Sequence, residues 1–561
     1  MKKLIILVFF GLFYNYVSGQ RNEKEVVNQS MKYQYFMAYI NRFYVDTVNL
    51  EKLTETAMVK ILSELDPHSV YIPEKEVAQM NEPLSGGFFG IGIQFTIIKD
   101  TLNVVQVILG GPSEKSGLLP GDRIIGVGGE NIAGVGLTNA RVQEYLRGPK
   151  GSIAELEVLR KERHMHFKIV RDKIPIHSVE AAYMVDDKIG YINISRFSAN
   201  TLEELENALR KLNAEGMTDL ILDLGRNGGG FLGTAIGVAD HLLDRGKLIV
   251  YTDGVEGRKN QYSTHSGLFK KGRTVVLMDE NSASSSEIVA GAVQDWDRGL
   301  IVGRRSFGKG LVQQQFPFPD GSMMRLTTAF YYTPSGRCIQ KPYKDKDYEL
   351  EVWERYKSGE MTDQGKIRVN DSLKYYTKIK GRLVYGGGGI SPDVFVPIDT
   401  TLNYFYANNL IASGSIREFL SEYLDKNRDK IKNDHPDSQS FLKNFTVTDA
   451  MLDELMEIGK KNKVDPISIY RAVKLRDKIR DIKAMEEAVD TKKNPPTEEE
   501  INKSMELYVI PIKDKLKRDI KAMLGSDLWG TELMFRIMNE DSEIFKTAVR
   551  LLQSGEYDKL L

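Results

Sequence analysis

The 561-residue chain has a single cysteine, Cys338. One thiol cannot close an internal disulfide, and it rules out a thiolate metal cluster. Cys338 reads as a packing residue. Histidine is sparse too: the seven are scattered without an HExxH pair, and none falls between His265 and His435. No metal or other cofactor is expected, and a catalytic base drawn from that interval cannot be an imidazole. An excess of charge is also missing. Lys plus Arg and Asp plus Glu both total 77, so no nucleic-acid partner is expected, because that partner calls for a basic surface. The apolar stretch from Leu4 to Val17 is broken by Gly11 and Asn15. It falls short of the roughly 20 residues a membrane-spanning helix needs. With Lys2 and Lys3 before it and Val17-Ser-Gly19 after it, residues 1–19 read as an export signal cut before Gln20. An uncut anchor is the alternative. No cysteine follows the cut, so lipid attachment is not indicated. Export without disulfides points to a bacterial periplasm, with inner-membrane association if the anchor stays.

The rest divides by texture. Residues 20–78 read as an N-terminal helical segment, with Tyr33, Phe36, Met37 and Ile40 at helical spacing until Asp66-Pro-His breaks the pattern. Residues 79–175 change to short β runs and glycine turns. Residues 176–400 alternate strands and helices. Strands are expected at Lys188–Ile194, Asp219–Leu224, Thr274–Met278 and Leu300–Val302. Helices are expected after Asn200 or Thr201, over 235–243 and over 286–293. A polar stretch with interleaved aromatics, about 341–385, reads as an insertion. Residues 401–561 read as a charged helical extension, with Thr497 and Glu500 spaced as a capping box.

Chemistry concentrates in three places. Asn281-Ser-Ala-Ser-Ser-Ser-Glu287 follows a strand and opens a small-residue helix, whose free N-terminal amides favour developing negative charge. Arg226-Asn-Gly-Gly-Gly230 follows another strand. Its glycines let backbone amides approach a substrate carbonyl, the requirement for an oxyanion hole. Ser306-Phe-Gly-Lys-Gly310 follows a third. A serine needs a neighbouring base, and Lys309 serves if its proton is lost. From a free value near 10.4, that requires burial to lower its pKa by roughly two to three units. Gln313 is placed to orient the amine without adding charge. Taken singly, the serines read as a helix cap and Lys309 as a surface charge; their combination is what points to acyl transfer.

Two resemblances carry these readings further. Gly110-Gly-Pro-Ser-Glu-Lys-Ser-Gly117 and Leu119-Pro-Gly-Asp-Arg-Ile-Ile-Gly126 resemble a PDZ domain in its permuted bacterial form. That implies capture of a peptide C-terminus by strand addition, with the carboxylate held at the Phe89-Gly90-Ile91-Gly92 loop. The plain alternative is that these glycines only permit a turn. The 281–292 and 306–313 stretches resemble the carboxyl-terminal processing (tail-specific) protease family, over about residues 30–400. The family likeness implies Ser284 as nucleophile, Lys309 as base, Gln313 as its orienting partner, and the amides of Gly230 and Ser285 as oxyanion donors. It also suggests Arg147, in Leu146-Arg-Gly-Pro-Lys-Gly151, as a regulatory residue. The chain departs from the family's Asp-Leu-Arg-x-Asn turn: it has Asp223-Leu-Gly-Arg-Asn227. The implied fold is multidomain α/β: a permuted PDZ domain, β-rich with two helices, on a ββα-repeat core of the crotonase/Clp-protease type, with flanking helical segments. The implied function is an exported serine endopeptidase acting on proteins with free C-termini, with homodimerisation and an adaptor protein as expected associations. A PDZ scaffold with an inactive core, or an acyl hydrolase of the same core fold, are the alternatives.

Overall fold

The computed structural model describes residues 2–108, 110–264, 267–343, 348, 350–367, 370–475, 488–491 and 493–561, with side chains from residue 23 onward. Met1 and the side chains of the expected export signal therefore lie outside the described residues, as do parts of the expected insertion and of the helical extension. Among the described residues no helix is long and apolar enough to cross a membrane. The chain forms two units, Met1–Val77 with Gln313–Thr327, and Ala78–Val312 with Thr328–Leu561.

The first unit holds the helices Lys2–Phe43 and Leu50–Ser63. Asn49 caps the second by accepting the Lys52 N–H at 2.9 Å. The Asp66 carboxylate then accepts the N–H groups of His68 and Ser69 at 2.8 and 2.9 Å, turning the chain. Beyond that turn the structure departs from the helical expectation. Val70–Ile72 is a strand, antiparallel to Met323–Arg325. Its β-branched and aromatic residues suit a strand, but the partner lies far along the sequence and leaves no local signal.

The second unit begins with a sheet of the strands Ile93–Ile98, Thr101–Val107, Arg123–Val127, Ile153–Arg160 and Arg163–Val170, in that spatial order. The helix Asn139–Leu146 packs Val142 and Leu146 into its core. Arg171 caps that helix, donating to the carbonyls of Tyr145 and Leu146 at 2.8 and 3.1 Å. Gly87–Gly90 pairs with Asp172–Pro175 and closes the domain.

The central sheet of the unit is six-stranded. Val179–Met184 runs antiparallel to Ile189–Ile194; then Asp219–Asp223, Thr274–Met278, Leu300–Gly303 and Val394–Phe395 follow in parallel. Buried on both faces, its inner strands read as unbroken apolar runs. The two faces alternate residue by residue. Ile192, Leu222, Val276 and Met278 face the helices Thr201–Ala214, Leu232–Asp240 and Ser285–Asp295. Tyr191, Ile221, Val275 and Leu277 face the other way, onto Phe545, Leu551 and Leu552 of the helix Glu543–Ser554. The segment expected as one helical extension is thus of two kinds. Helices from Phe405 to Trp529 enclose a core of their own, including Phe419, Phe441, Leu455 and Leu524. The last helices instead cover the central sheet, and the Tyr557 hydroxyl donates to the Thr274 carbonyl at 3.1 Å.

Truncating Leu551 tests that covering. Leu551→Ala should lower unfolding free energy by about 2–5 kcal/mol in a urea titration, whereas Leu560→Ala, at an exposed position, should change it by no more than about 0.5 kcal/mol.

Candidate active site

The strand Thr274–Met278 delivers the serine cluster. Asp279 makes the turn: its Oδ1 accepts the N–H groups of Asn281 and Ser282 at 2.9 and 3.1 Å. Ser284 follows with φ 55° and ψ −112°, immediately before the helix Ser285–Asp295. A non-glycine residue held there is strained, which the surroundings must over-determine. Two bonds do so. The Tyr331 hydroxyl donates to the Ser284 carbonyl at 3.0 Å, and the Ser284 N–H donates to Glu287 Oε2 at 2.7 Å.

Glu287 is fully buried in the first turn of that helix. Its carboxylate collects four donors from two segments. Oε2 accepts the N–H groups of Ser284 and of Lys309, the latter at 2.9 Å. Oε1 accepts the Ser306 hydroxyl at 2.5 Å and the Gly308 N–H at 2.7 Å. The main chains of Ser284 and Lys309 therefore meet on one oxygen atom. Burial pushes the Glu287 pKa up to about 7, outweighing the hydrogen bonds, which favour the ionised form. Only that form accepts all four donors at once.

The Lys309 loop is shaped by its neighbours. Gly308 has φ 90°, and a Cβ there would lie 3.1 Å from the Gly389 nitrogen and 3.2 Å from the Lys341 Cβ, so only glycine fits. Phe307 N–H donates to the Ser282 carbonyl at 2.9 Å, joining the two loops again. Gly310 N–H donates to Gln340 Oε1 at 2.7 Å. The Lys309 side chain itself is half-buried.

The glycine turn lies against the serine. The Cα of Gly229 faces Ser284, with a Cβ there only 2.8 Å from the Ser284 Cβ. Gly230, at φ 151°, is pressed to Phe197, and a methyl group would overlap the Phe197 carbonyl. Asn227 holds the turn: its Nδ2 donates to the Ile194 carbonyl at 2.7 Å and its Oδ1 accepts the Gly229 N–H at 2.9 Å. Ser285 Oγ donates to the Gly230 carbonyl at 3.0 Å. Among the described residues no group accepts the N–H of either Gly230 or Ser285. The displaced Arg226 sits at φ 60° with an exposed side chain, its N–H on Asp279 Oδ1 at 3.0 Å. The turn accommodates the departure from the family pattern by letting the arginine point to solvent.

Gln313 belongs to the first unit, where its Nε2 donates to Thr327 Oγ1 at 3.4 Å, and Thr327 donates in turn to Asp66 at 3.1 Å. Phe89 and Gly90 are on the strand Gly87–Gly90 rather than in a loop, and Ile91 is buried. Ile91 and Gly92 lie between that strand and the edge strand Ile93–Ile98. Arg147 pairs with Glu82 and lies over the Phe88 ring, 4.6 Å from its centroid.

Sequence reasoning passed over Glu287, although Ser284-x-x-Glu287 has capping-box spacing and marks a carboxylate at a helix start. It also read the 341–385 stretch only as a polar insertion. Its described residues Arg355 and Glu360 clasp the lysine loop. Arg355 donates to the carbonyls of Ser306 and Arg305 at 3.1 and 2.6 Å. Glu360 bridges Arg355 and Arg305 at 2.9 and 2.7 Å.

Comparison with known proteins identifies the family. Residues 188–350 match peptidase family S41, 104–160 match the PDZ domain, and 406–530 match a family of unknown function. A carboxy-terminal-processing protease from Bartonella bacilliformis is 35% identical over 354 residues, which are 61% of this chain and 80% of that protein. The chain belongs to peptidase family S41, the carboxy-terminal-processing serine proteases. The carboxy-terminal processing protease CtpB of Bacillus subtilis is 33% identical over 344 residues, 60% of this chain and 71% of its own. A solved photosystem II D1 C-terminal processing protease aligns with 64% of this chain and 91% of its own at 26% identity, with a TM-score of 0.33.

Glu287→Gln tests the shared carboxylate in two ways. An amide cannot accept four donors, so kcat should fall by about 100-fold, the scale of a small misplacement of reacting groups. Stability gives the second readout. A carboxyl group whose pKa rises from 4.5 to about 7 on folding binds its proton more tightly in the native state. Its contribution to stability therefore declines as pH rises through that window. Thermal unfolding across the window should show this decline in the wild type and lose it in Glu287→Gln.

Proposed function

We propose that this protein is an exported endopeptidase that binds the free C-terminus of a protein at its PDZ domain and cleaves the chain with a Ser284/Lys309 dyad. The observation that carries the dyad is the meeting of the Ser284 and Lys309 amides on Glu287 Oε2. Ser284 Oγ attacks the peptide carbonyl as Lys309 accepts its proton. The N–H groups of Gly230 and Ser285 receive the oxyanion, and that no described residue accepts either of them supports that role. Lys309 then protonates the leaving amine, and water hydrolyses the acyl-enzyme. Gln313 orients the lysine amine, following the family likeness.

Tail recognition rests on the edge strand Ile93–Ile98. Within its sheet it pairs with Thr101–Val107 on one side only, so an incoming peptide can extend the sheet. Its terminal carboxylate would be held by backbone N–H groups of the Phe89–Gly92 segment. Arg147, at the end of the helix Asn139–Leu146 and paired with Glu82, is the residue through which tail binding would be sensed. Export rests on the N-terminal signal pattern and places the enzyme in a periplasm. Homodimerisation is read from the flanking helices, where Tyr35, Tyr39 and Phe43 are exposed on the helix Lys2–Phe43. The helices from Phe405 to Trp529 are a platform for an adaptor protein.

Two measurements check this reading. Ser284→Ala and Lys309→Ala should each lower kcat on an unstructured protein with an apolar tail by at least about 10⁴-fold; wild-type cleavage by either variant would refute the dyad. Amidating the C-terminus of a peptide substrate removes hydrogen bonds to a charged group, worth about 1.5–3 kcal/mol. It should lower kcat/KM by roughly tenfold or more, and equal rates for the acid and the amide would refute tail recognition.

A further inference from the structure

Lys341 is a buried cation that the reaction scheme does not use. The residue is 2% exposed, and an ammonium taken out of water is costly unless it is paired. Here it has three partners. Its Nζ lies 3.1 Å from the Glu351 carboxylate, 3.6 Å from the centroid of the Phe307 ring and 4.2 Å from that of Tyr348. The two rings meet edge to face at 5.4 Å and 82°, so they present a two-walled aromatic cage. The main chain of Lys341 is engaged as well: its N–H donates to the Gly308 carbonyl at 3.0 Å. One residue therefore grips Phe307 by its ring and Gly308 by its backbone. These are the two residues that precede Lys309.

The cage belongs to the clasp. Glu351 also faces Arg305, with Nη2 at 3.4 Å, while Arg355 holds the carbonyls of Arg305 and Ser306. Every residue from Arg305 to Gly308 is thus tied either to Glu287 or to the 341–360 segment. Among the described residues, the charged groups around Lys341 include Glu351, Arg305, Arg355 and Glu287. Burial lowers the Lys341 pKa, and Glu351 opposes that shift.

We propose that Lys341 is a positioning residue for the Lys309 loop, its caged cation fixing Phe307 and Gly308 and keeping a positive charge beside that loop. The inference rests on the reading of Lys309 as the catalytic base. A fixed cation makes nearby bases harder to protonate, which favours a neutral lysine amine and an ionised Glu287. Nothing in the role requires Lys341 to touch substrate, so its loss should appear in the chemical step rather than in binding.

The test uses the full-length protein and a peptide substrate with a free apolar C-terminus. Lys341→Met, Lys341→Arg, Ser284→Ala and Lys309→Ala are compared with wild type for melting temperature, kcat, KM and the pH dependence of kcat. Lys341→Met should lower kcat by about tenfold or more with KM changed by less than about twofold, and should move the acidic limb of the kcat profile to higher pH. Lys341→Arg keeps the charge and the ring contacts; it should recover most of kcat and leave the limb where wild type has it. Wild-type kcat and limb in Lys341→Met, or Lys341→Arg as impaired as Lys341→Met, would overturn the inference. If Lys341→Met does not fold, Glu351→Gln answers the same question. Without its counter-charge the buried amine holds its proton less tightly, and the limb should move in the direction predicted for the methionine variant; an unmoved limb overturns the proposal. The alanine variants separate this inference from the dyad. Cleavage by either at the wild-type rate refutes the dyad, whereas two inactive alanine variants beside a normal Lys341→Met refute only the role of Lys341.

Discussion

The site depends on one buried carboxylate holding two loops that the sheet alone would leave apart. Ser284 ends the turn after the strand Thr274–Met278, and Lys309 ends the loop after Leu300–Gly303. Those strands are parallel neighbours, so both loops leave the same end of the sheet, where open α/β sheets build their sites. Adjacency of strands does not fix the loops to within an ångström. Glu287 does, because its two oxygens accept donors from both loops and its side chain is fully buried. The isolated cost of burying such a charge is high, and it is offset in part by four directed hydrogen bonds. The strained conformation of Ser284 persists in the same way, held by bonds at its N–H and its carbonyl.

Around this carboxylate the chain is arranged in shells of decreasing locality. The glycine turn is positioned by Asn227 and lies against Ser284. The lysine loop is held from outside by Lys341, Arg355 and Glu360. The helix Glu543–Ser554 covers the far face of the sheet that carries both loops. Arg355, Glu360 and the helix Glu543–Ser554 would act on the reaction through geometry rather than through contact with substrate. Preorganisation of this kind is how a modest set of side chains reaches a large rate effect.

What the sequence discloses follows from how local each feature is. Thr274–Met278 is legible to the residue because it is a fully buried run with turn signals on both sides. The helix Glu498–Tyr508 is likewise announced by its capping box, Thr497 and Glu500. The serine cluster, the glycine turn and the Gly-Lys-Gly loop stand out because their chemistry needs unusual residues in short order. Features made by distant partners do not stand out. Val70–Ile72 becomes a strand only through Met323–Arg325. The helix Glu543–Ser554 looks like any amphipathic surface helix until the sheet face it covers is known. Glu287 sits in plain view beside Ser284, but its role depends on Ser306, Gly308 and Lys309, and Lys341 acts through Tyr348 and Glu351, which a polar, aromatic-rich stretch does not single out.

The most direct test of the account is a crystal structure of the enzyme with a peptide boronic acid carrying a free apolar C-terminus. Boron should be bonded to Ser284 Oγ, with one boronate oxygen at about 3 Å from the N–H groups of Gly230 and Ser285, and the Lys309 amine within hydrogen-bond reach of the bonded oxygen. Boron on another residue, or a Lys309 amine separated from Ser284 by solvent in the occupied site, would contradict it.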